Sequence, residues 1–349
     1  MRPQDRGGTI DSQTRTREGT LGVAVVGQGW WGRAIVRVLD ASHSMRVVTT
    51  VDVDPIAEEF ARERGVGFTT DYGAALGDEA VEAVILCTPH SLHTDQIARA
   101  ARAGKHVFCE KPLALTRREA VASVEICNAS GVVIGVGHEH RFKPPTLELA
   151  RMVRSGELGT IMQSEATFTM DNLANLDADN WRRSGAEAPC GPLTATGVHA
   201  LDLCVSVHGV AESVIASLRS VDGGAVDGAL GIMLTFRSGA GALITSLIGP
   251  PFSVRFAVFG TQGWVEIRDK THPETPEGWI LTKCMRGGRM ESVESPSASP
   301  VLANLEAFAA AAHGRAPYPI AQEEMIATIS ALEAIIISAA SGQIVQVEG

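Results

Sequence analysis

Three glycines near the start of the chain have the spacing G-x-G-x-x-G and follow a short apolar stretch. Gly27 permits a tight turn out of a strand, Gly29 lets the main chain approach a diphosphate because it has no Cβ, and Gly32 lets the next helix pack on the strand. The free N–H groups and positive dipole end of that helix favour an anion. The motif predicts a dinucleotide-binding turn, with Trp30 and Trp31 among the cofactor-binding residues.

A carboxylate stands where such a site would hold a ribose. The glycine spacing alone also fits a strand–helix turn that binds nothing. A second apolar strand, residues 46–53, however contains Asp52, 20 residues after Gly32. Its carboxylate can accept two hydrogen bonds from a ribose 2′,3′-diol and repels a 2′-phosphate, which favours NAD and leaves NADP possible. Asp54 is the spare candidate for the same role.

Two further turns follow apolar strands. Thr88 and Pro89 follow one strand, and Glu110, Lys111 and Pro112 follow another. Because ligands bind outside the carboxyl ends of parallel strands, we expect both turns beside the cofactor. The ammonium of Lys111 would then point into the cleft, where it can hydrogen-bond a substrate oxygen and stabilise a developing alkoxide. A solvated lysine at a proline turn is the alternative.

The histidines supply further candidates. His199 lies within a helical pattern, with Asp202 one turn later. Imidazole is the natural proton carrier near neutral pH, although a core histidine bonded to a main-chain carbonyl fits the same pattern. His138 and His140 share one face after the last strand of the first half. Because this pair lacks a third ligand, we predict no metal site.

The pattern of elements changes once along the chain. Apolar strands alternate with helices up to residue 142, which predicts a doubly wound parallel sheet, a Rossmann domain over residues 21–142. Residues 143–349 contain successive strands with glycine turns and two closing helices, which predicts an α+β domain with a large, mainly antiparallel, open-faced sheet. A free sheet face favours a homo-oligomer. Residues 1–20 are predicted to be a disordered extension.

Composition excludes several classes of function. The 349 residues carry a net charge of −10, and the pI near 5.5 argues against a nucleic-acid surface and against a polybasic membrane patch. We find no apolar run of membrane-spanning length and no signal peptide in the polar N-terminus. The six cysteines are scattered without a C-x-x-C pair, which predicts reduced thiols in a cytoplasm.

The motifs together resemble one family. The glycine turn, the Glu110–Lys111–Pro112 triplet, the GHEHRF stretch at residues 137–142 and the helix with His199 are similar to the glucose–fructose oxidoreductase, inositol dehydrogenase and MocA (Gfo/Idh/MocA) family. The resemblance implies a Rossmann domain followed by an α/β domain whose open sheet forms dimers or tetramers. It also implies that NAD or NADP is used to oxidise or reduce a hydroxyl or carbonyl of a sugar, cyclitol or related cyclic alcohol.

The resemblance also implies roles for individual residues. Lys111 matches a lysine that contacts substrate, and His199 matches a histidine that acts as acid or base on the reacting oxygen. His93 matches a position beside the cofactor, in the stretch T-P-x-x-x-H, and Glu110 one that shapes the lysine turn. The expected substrate-binding residues are His140, Trp181, Arg182 and His199.

One departure from the family pattern affects the mechanism. The family often has D-x-G-x-H, in which the aspartate pairs with the histidine, but Ala195 stands at the aspartate position here. His199 therefore lacks its usual orienting carboxylate, so that either Lys111 takes more of the proton transfer or the substrate is not a simple sugar. Two alternatives use the same scaffold: a redox-cycling, NAD-dependent glycosidase or lyase, and a non-enzymatic nucleotide sensor.

Overall fold

The computed structural model describes residues 19–171, 180–220, 228–272 and 275–349. Residues 1–18 of the predicted disordered extension lie outside the described residues. Residues 172–179, which precede Trp181 and Arg182 in the chain, also lie outside the described residues.

The first half forms a six-stranded parallel sheet, as predicted, with the strand order β3-β2-β1-β4-β5-β6. All six residues of its first strand are buried, because helices cover both faces. Helix α5 begins with a capping box, in which Thr116 and Glu119 each accept from the other's backbone N–H. The elements are β1 (Leu21–Val26), α1 (Trp30–Leu39), β2 (Met45–Val51), α2 (Ala57–Arg64), β3 (Gly67–Thr69), α3 (Tyr72–Gly77), β4 (Ala83–Leu86), α4 (His93–Arg102), β5 (His106–Cys109), α5 (Arg117–Ala129) and β6 (Ile134–Val136).

The second half forms a nine-stranded, mostly antiparallel sheet with the order β14-β13-β12-β11-β7-β10-β9-β8-β15. Among the described strands, the parallel pair is β7 with β10, and β7 lies between β10 and β11, which both come later in the chain. The elements are α6 (Pro144–Arg154), β7 (Ile161–Met170), α7 (Val198–His208), β8 (Ala211–Arg219), β9 (Ala229–Phe236), β10 (Gly241–Ile248), β11 (Ser253–Gly260), β12 (Gly263–Asp269), β13 (Trp279–Met285), β14 (Met290–Ser295), α8 (Pro300–Ala312), α9 (Gln322–Ser341) and β15 (Val345–Gln346).

The two closing helices tie the halves together. Leu305 and Phe308 of α8 pack in one core with β1 and α1, and the Asn304 side chain donates to the carbonyl of Val136 on β6. This part of the chain therefore covers the first sheet, although it follows the second; the predicted domain boundary at residue 142 stays a prediction. Helix α9 packs against α5, α7 and β8.

Helix α9 corrects one expectation. By length and composition it could cross a membrane, whereas the sequence analysis found no such run. In the fold, 56% of its most apolar window is buried inside the protein. Its buried apolar residues are divided between two cores: Ile329 packs in the core of the first half, whereas Leu332 and Ile335 pack in the core of the second half. Burial on both sides explains why the helix is so apolar.

Candidate active site

One cavity lies where the carboxyl ends of β1, β4 and β5 face the second sheet. The glycine turn contributes Trp30 and Trp31, the turns after β4 and β5 contribute Thr88 and Lys111, and α7 contributes His199. The structure thus brings residues from these four separate stretches of sequence to one place. The predicted substrate residues His140, Trp181 and Arg182 line the same cavity.

The glycine turn has the geometry that a diphosphate needs. Gly27 has φ of 89°, and a Cβ there would stand 2.7 Å from the carbonyl oxygen of Cys87. A Cβ on Gly32 would stand 1.8 Å from the carbonyl oxygen of Gly27, so this helix–strand contact requires glycine. A Cβ on Gly29 would have no other described residue within 4 Å apart from its two chain neighbours, and no side chain caps α1. Open space before uncapped N–H groups fits the diphosphate of a dinucleotide.

Asp52 is fastened to this turn. Its Oδ2 accepts from the backbone N–H of Gln28 at 2.5 Å, and its Oδ1 accepts from Asp54 at 2.9 Å. The carboxylate is therefore held where the ribose of a dinucleotide is expected. Asp54, the spare candidate, instead accepts from the backbone N–H of Ile56 in the turn before α2.

His93 does not offer its ring to a cofactor, which corrects the sequence-based expectation. The side chain is fully buried, and its two ring nitrogens lie 3.0 Å and 3.1 Å from the carbonyl oxygens of Pro112 and Thr88. Burial lowers its pKa. The ring therefore braces the turn of Thr88 and Pro89 against the turn that contains Lys111, and its contribution to the site is positional.

Lys111 points into the cavity. Its Nζ donates to the carbonyl oxygen of Ala195 at 2.6 Å, which joins the turn after β5 to the turn before α7. Burial lowers the pKa of Lys111, and the nearby carboxylates of Glu139 and Glu110 oppose that shift. Glu110 needs the space that Gly137 leaves, because a Cβ there would stand 2.5 Å from the Glu110 carboxylate.

His199 and His140 stack on each other in the cavity wall. Their ring centroids are 4.6 Å apart at an interplanar angle of 23°, and the Phe168 ring lies near both, with its centroid 5.4 Å from that of His140 and 6.0 Å from that of His199. Burial lowers the pKa of both rings well below the ordinary value, and neighbouring lysines add to the shift. Both rings are therefore neutral at neutral pH.

Glu139 is a cavity residue that sequence reasoning missed. Its Oε2 lies 3.7 Å from His199 Nδ1, and its Oε1 lies 3.7 Å from His140 Nε2. Both ring nitrogens are buried and have no hydrogen-bond partner among the described residues. Burial and the neighbouring Glu110 raise the pKa of Glu139 to about 7. The acidic residue inside the GHEHRF stretch was the available signal.

Three side chains of the cavity could in principle ligate a metal ion. One ligand atom from each of Glu139, His140 and His199 lies within 4.8 Å of the others, so a third potential ligand does exist. Lys143, however, places its Nζ 2.8 Å from His140 Nδ1 and 2.5 Å from Asp269 Oδ2. Because an ammonium only donates, Nδ1 accepts and Nε2 of the neutral ring carries the hydrogen. A protonated nitrogen does not coordinate a metal, so this arrangement favours hydrogen bonding.

His138 belongs to a different group behind the cavity. Its Nε2 lies 3.6 Å from Asp202 Oδ1, while the guanidinium of Arg141 bonds both carboxylate oxygens of Asp202 at 2.7 Å. Glu324 on α9 completes this group through Arg141. Asp202, one turn after His199, therefore pairs with Arg141 rather than with the cavity histidines.

An aromatic and cationic pair forms the outer wall. The guanidinium of Arg182 lies 4.2 Å from the ring centroid of Trp181, and Trp181 contacts the ring of His90 edge-on at 4.8 Å. His90, which the sequence analysis did not select, is held by the carbonyl oxygen of Glu187. Among the described residues, no salt bridge to Arg182 is present, and its side chain lines the cavity.

Comparison with known proteins agrees with the geometry. The model of an oxidoreductase family with an NAD-binding Rossmann fold matches residues 21–138, and the Gfo/Idh/MocA C-terminal domain model matches residues 146–266. A D-xylose 1-dehydrogenase (NADP(+)) of Haloferax volcanii is 27% identical over 95% of this chain and 99% of its own length.

Two further relatives extend this comparison. A scyllo-inositol 2-dehydrogenase (NAD(+)) of Bacillus subtilis is 31% identical over 66% of this chain and 71% of its own length. The crystal structure of an aldose-aldose oxidoreductase from Caulobacter crescentus, complexed with glycerol, superposes with a TM-score of 0.82 at 26% identity and covers 94% of this chain and 99% of that one.

Proposed function

The chain belongs to the Gfo/Idh/MocA family of NAD(P)-dependent oxidoreductases, and we propose that its substrate is a sugar, a cyclitol or a related cyclic alcohol. A hydride moves between the nicotinamide and the carbon of a hydroxyl or carbonyl group. The relatives named above are dehydrogenases and oxidoreductases of sugars and an inositol, which supports this substrate class. The observation that carries the proposal is that Lys111 lines the same cavity as Trp30 of the glycine turn and as His199, with its ammonium bonded to the carbonyl oxygen of Ala195.

Different residues of the cavity bind the cofactor, bind the substrate and transfer the proton. Gly27, Gly29 and Gly32 hold the diphosphate, and Asp52 accepts from the ribose hydroxyls, which favours NAD over NADP. When bound, the nicotinamide supplies the acceptor or donor of the hydride. Lys111 hydrogen-bonds the substrate oxygen and stabilises its developing charge, and His199 handles the hydroxyl proton. Arg182, Trp181 and His140 grip the rest of the ring.

The proposal extends to assembly and location. Met233 on β9 and Leu243 on β10 are paired across the strands and are about half exposed on the sheet face away from the helices. Such a face is suited to burial against a second copy, so we propose a homodimer or homotetramer through the second sheet. All six cysteines are free thiols, which supports a reducing cytoplasm as the location.

The first test is a substrate screen. The purified protein is incubated with NAD or NADP and a panel of sugars, cyclitols and aromatic diols, and NADH or NADPH is followed by absorbance and by product analysis. We expect at least one cyclic alcohol to give one equivalent of reduced cofactor per product. Product formed without net reduced cofactor would indicate the redox-cycling glycosidase or lyase, and cofactor binding without any product would indicate the nucleotide sensor.

A further inference from the structure

The turn just before His199 in the chain offers this histidine no carboxylate. Ala195, in the turn before α7, lines the cavity beside His199 but has no side-chain group that can take a proton. Among the described residues, Glu139 is the carboxylate that lies within 4 Å of the His199 ring. Glu139 comes from the short helical turn after β6, so the partner is delivered by the other half of the fold.

The orientation of the two groups resembles a proton relay. Glu139 Oε2 faces His199 Nδ1 at 3.7 Å, which is longer than a hydrogen bond but within reach of a small closing movement. Nδ1 is buried without a partner, so a shorter contact would satisfy it. With Nδ1 directed to Glu139, Nε2 is the ring nitrogen left for a hydroxyl in the cavity.

Lys143 and His140 orient the carboxylate of Glu139. Lys143 donates to His140 Nδ1 and to Asp269 Oδ2, which leaves the hydrogen of His140 on Nε2. That N–H faces Glu139 Oε1, also at 3.7 Å. One oxygen of Glu139 is therefore directed to a fixed donor and the other to His199. Lys143 and His140 are positioning residues in this arrangement.

We propose that Glu139 is the final acceptor of the substrate's hydroxyl proton, which reaches it through His199. This inference rests on the proposed function. Oxidation of the carbinol breaks its C–H bond, whose electron pair leaves with the hydrogen as hydride to the nicotinamide, and its O–H bond, whose proton passes to His199 Nε2. The Nδ1 proton of the same ring passes to Glu139 Oε2, and the C–O bond becomes a carbonyl. His199 ends neutral in its other tautomer, and Glu139 ends as a carboxylic acid.

The pKa shifts of Glu139 and His199 favour Glu139 as the group that holds the proton. Burial and Glu110 raise the pKa of Glu139 to about 7, whereas burial and Lys111 lower the pKa of His199 well below its ordinary value. A carboxyl that titrates near neutrality exchanges protons in both directions at neutral pH. The charged and titratable groups around Glu139 are Glu110, Lys111, Lys143, His140 and His199.

The test compares Glu139→Gln with wild type. We expect kcat to fall by about 10²-fold while NAD affinity stays within about twofold, because the variant keeps the shape but cannot take the proton. Proton inventories in mixtures of H2O and D2O should change from curved, with two protons in flight, to linear. The limb of the pH profile near 7 should disappear. A variant with kcat within about threefold of wild type and a curved inventory would overturn the inference.

Relocating the carboxylate separates a chemical role from a structural one. We expect Ala195→Asp in the Glu139→Gln background to regain at least about tenfold in kcat, because it returns a carboxylate to the His199 side of the cavity. Glu324→Gln, which removes a carboxylate from the group behind the cavity, is the matched control and should stay within about threefold. Loss of activity in the control equal to that in Glu139→Gln would overturn the inference.

A measurement without turnover keeps this inference distinct from the proposed function. In cofactor-free protein, the infrared band of the Glu139 carboxylic acid, assigned by difference from Glu139→Gln, should disappear with a midpoint near the pKa of about 7. If the substrate screen finds no product, the proposed function fails by itself. A Glu139 that stays ionised down to pH 5 would overturn the inference about the proton, whatever the screen shows.

Discussion

The ammonium of Lys111 lies 2.6 Å from the carbonyl oxygen of Ala195, although 84 positions separate the two residues in the chain. This bond joins the carboxyl edge of the first sheet to the turn that leads into the helix of His199. The cavity is therefore assembled only when both halves of the protein are docked, and the account of function depends on that docking.

The glycine turn can be tested with a matched pair of substitutions. Gly29→Ala meets open space, so we expect a Tm within about 1 °C of wild type and at least about tenfold weaker NAD binding. Gly32→Ala meets the carbonyl oxygen of Gly27 at 1.8 Å, so we expect a clear loss of Tm. Thermal melts and NAD titrations measure both. Unchanged NAD affinity in Gly29→Ala would place the diphosphate elsewhere.

Asp52 should decide which dinucleotide binds. At equal concentration, NAD should raise Tm more than NADP, because the carboxylate accepts from a diol and repels a 2′-phosphate. Asp52→Ser should narrow or reverse that difference, whereas Asp54→Ser should preserve it, since Asp54 bonds to the turn before α2. A larger Tm shift with NADP in wild type would refute the role given to Asp52.

Removal of metal ions should have no effect. Lys143 leaves the hydrogen of His140 on Nε2, so this nitrogen cannot bind a metal ion. Of the group of Glu139, His140 and His199, only the carboxylate of Glu139 and the ring of His199 then remain as ligands. Dialysis against EDTA should leave turnover unchanged, and one equivalent of Zn²⁺ should shift Tm by less than about 1 °C. A Zn²⁺-dependent rise in Tm that Glu139→Gln abolishes would show a metal site.

The raised pKa of Glu139 predicts a pH-dependent stability difference. The folded state holds the Glu139 proton more strongly than the unfolded state, whose ordinary value is 4.5. Its contribution to stability is therefore full below that value and is lost as pH rises through about 7. Glu139→Gln lacks this titration, so its Tm relative to wild type should rise by about 2–5 °C between pH 5 and pH 8. A difference that does not change with pH would contradict the raised pKa.

Patterns in the sequence predicted the elements with strong local signals. The apolar strands of the first half and the glycine turn that follows β1 each depend on neighbouring residues, and the structure has them. Strand β14 was missed because all but one of its residues are exposed, so it has no apolar alternation, and β15 is only two residues long. Both strands lie at the edges of the second sheet, where pairing replaces burial.

The site was predicted less completely because its geometry depends on distant parts of the chain. Lys111 was selected from its turn alone; its side chain lines the cavity, and its role in the reaction stays a prediction. The partners of Glu139 come from α7 and from its own turn, and nothing near residue 139 indicates that His199 will lie beside it. The burial of the His93 ring could not be predicted either, because its partners are main-chain carbonyl groups, which are the same in every residue type.

The most direct test of the account is the turnover of Lys111→Met with the best substrate of the panel. Lys283→Met, on the far part of the second sheet, is the matched control. We predict that Lys111→Met lowers kcat by at least about 10²-fold while NAD still binds and the control stays within about twofold of wild type. A loss of less than about threefold in Lys111→Met would remove this ammonium from the reaction and contradict the account.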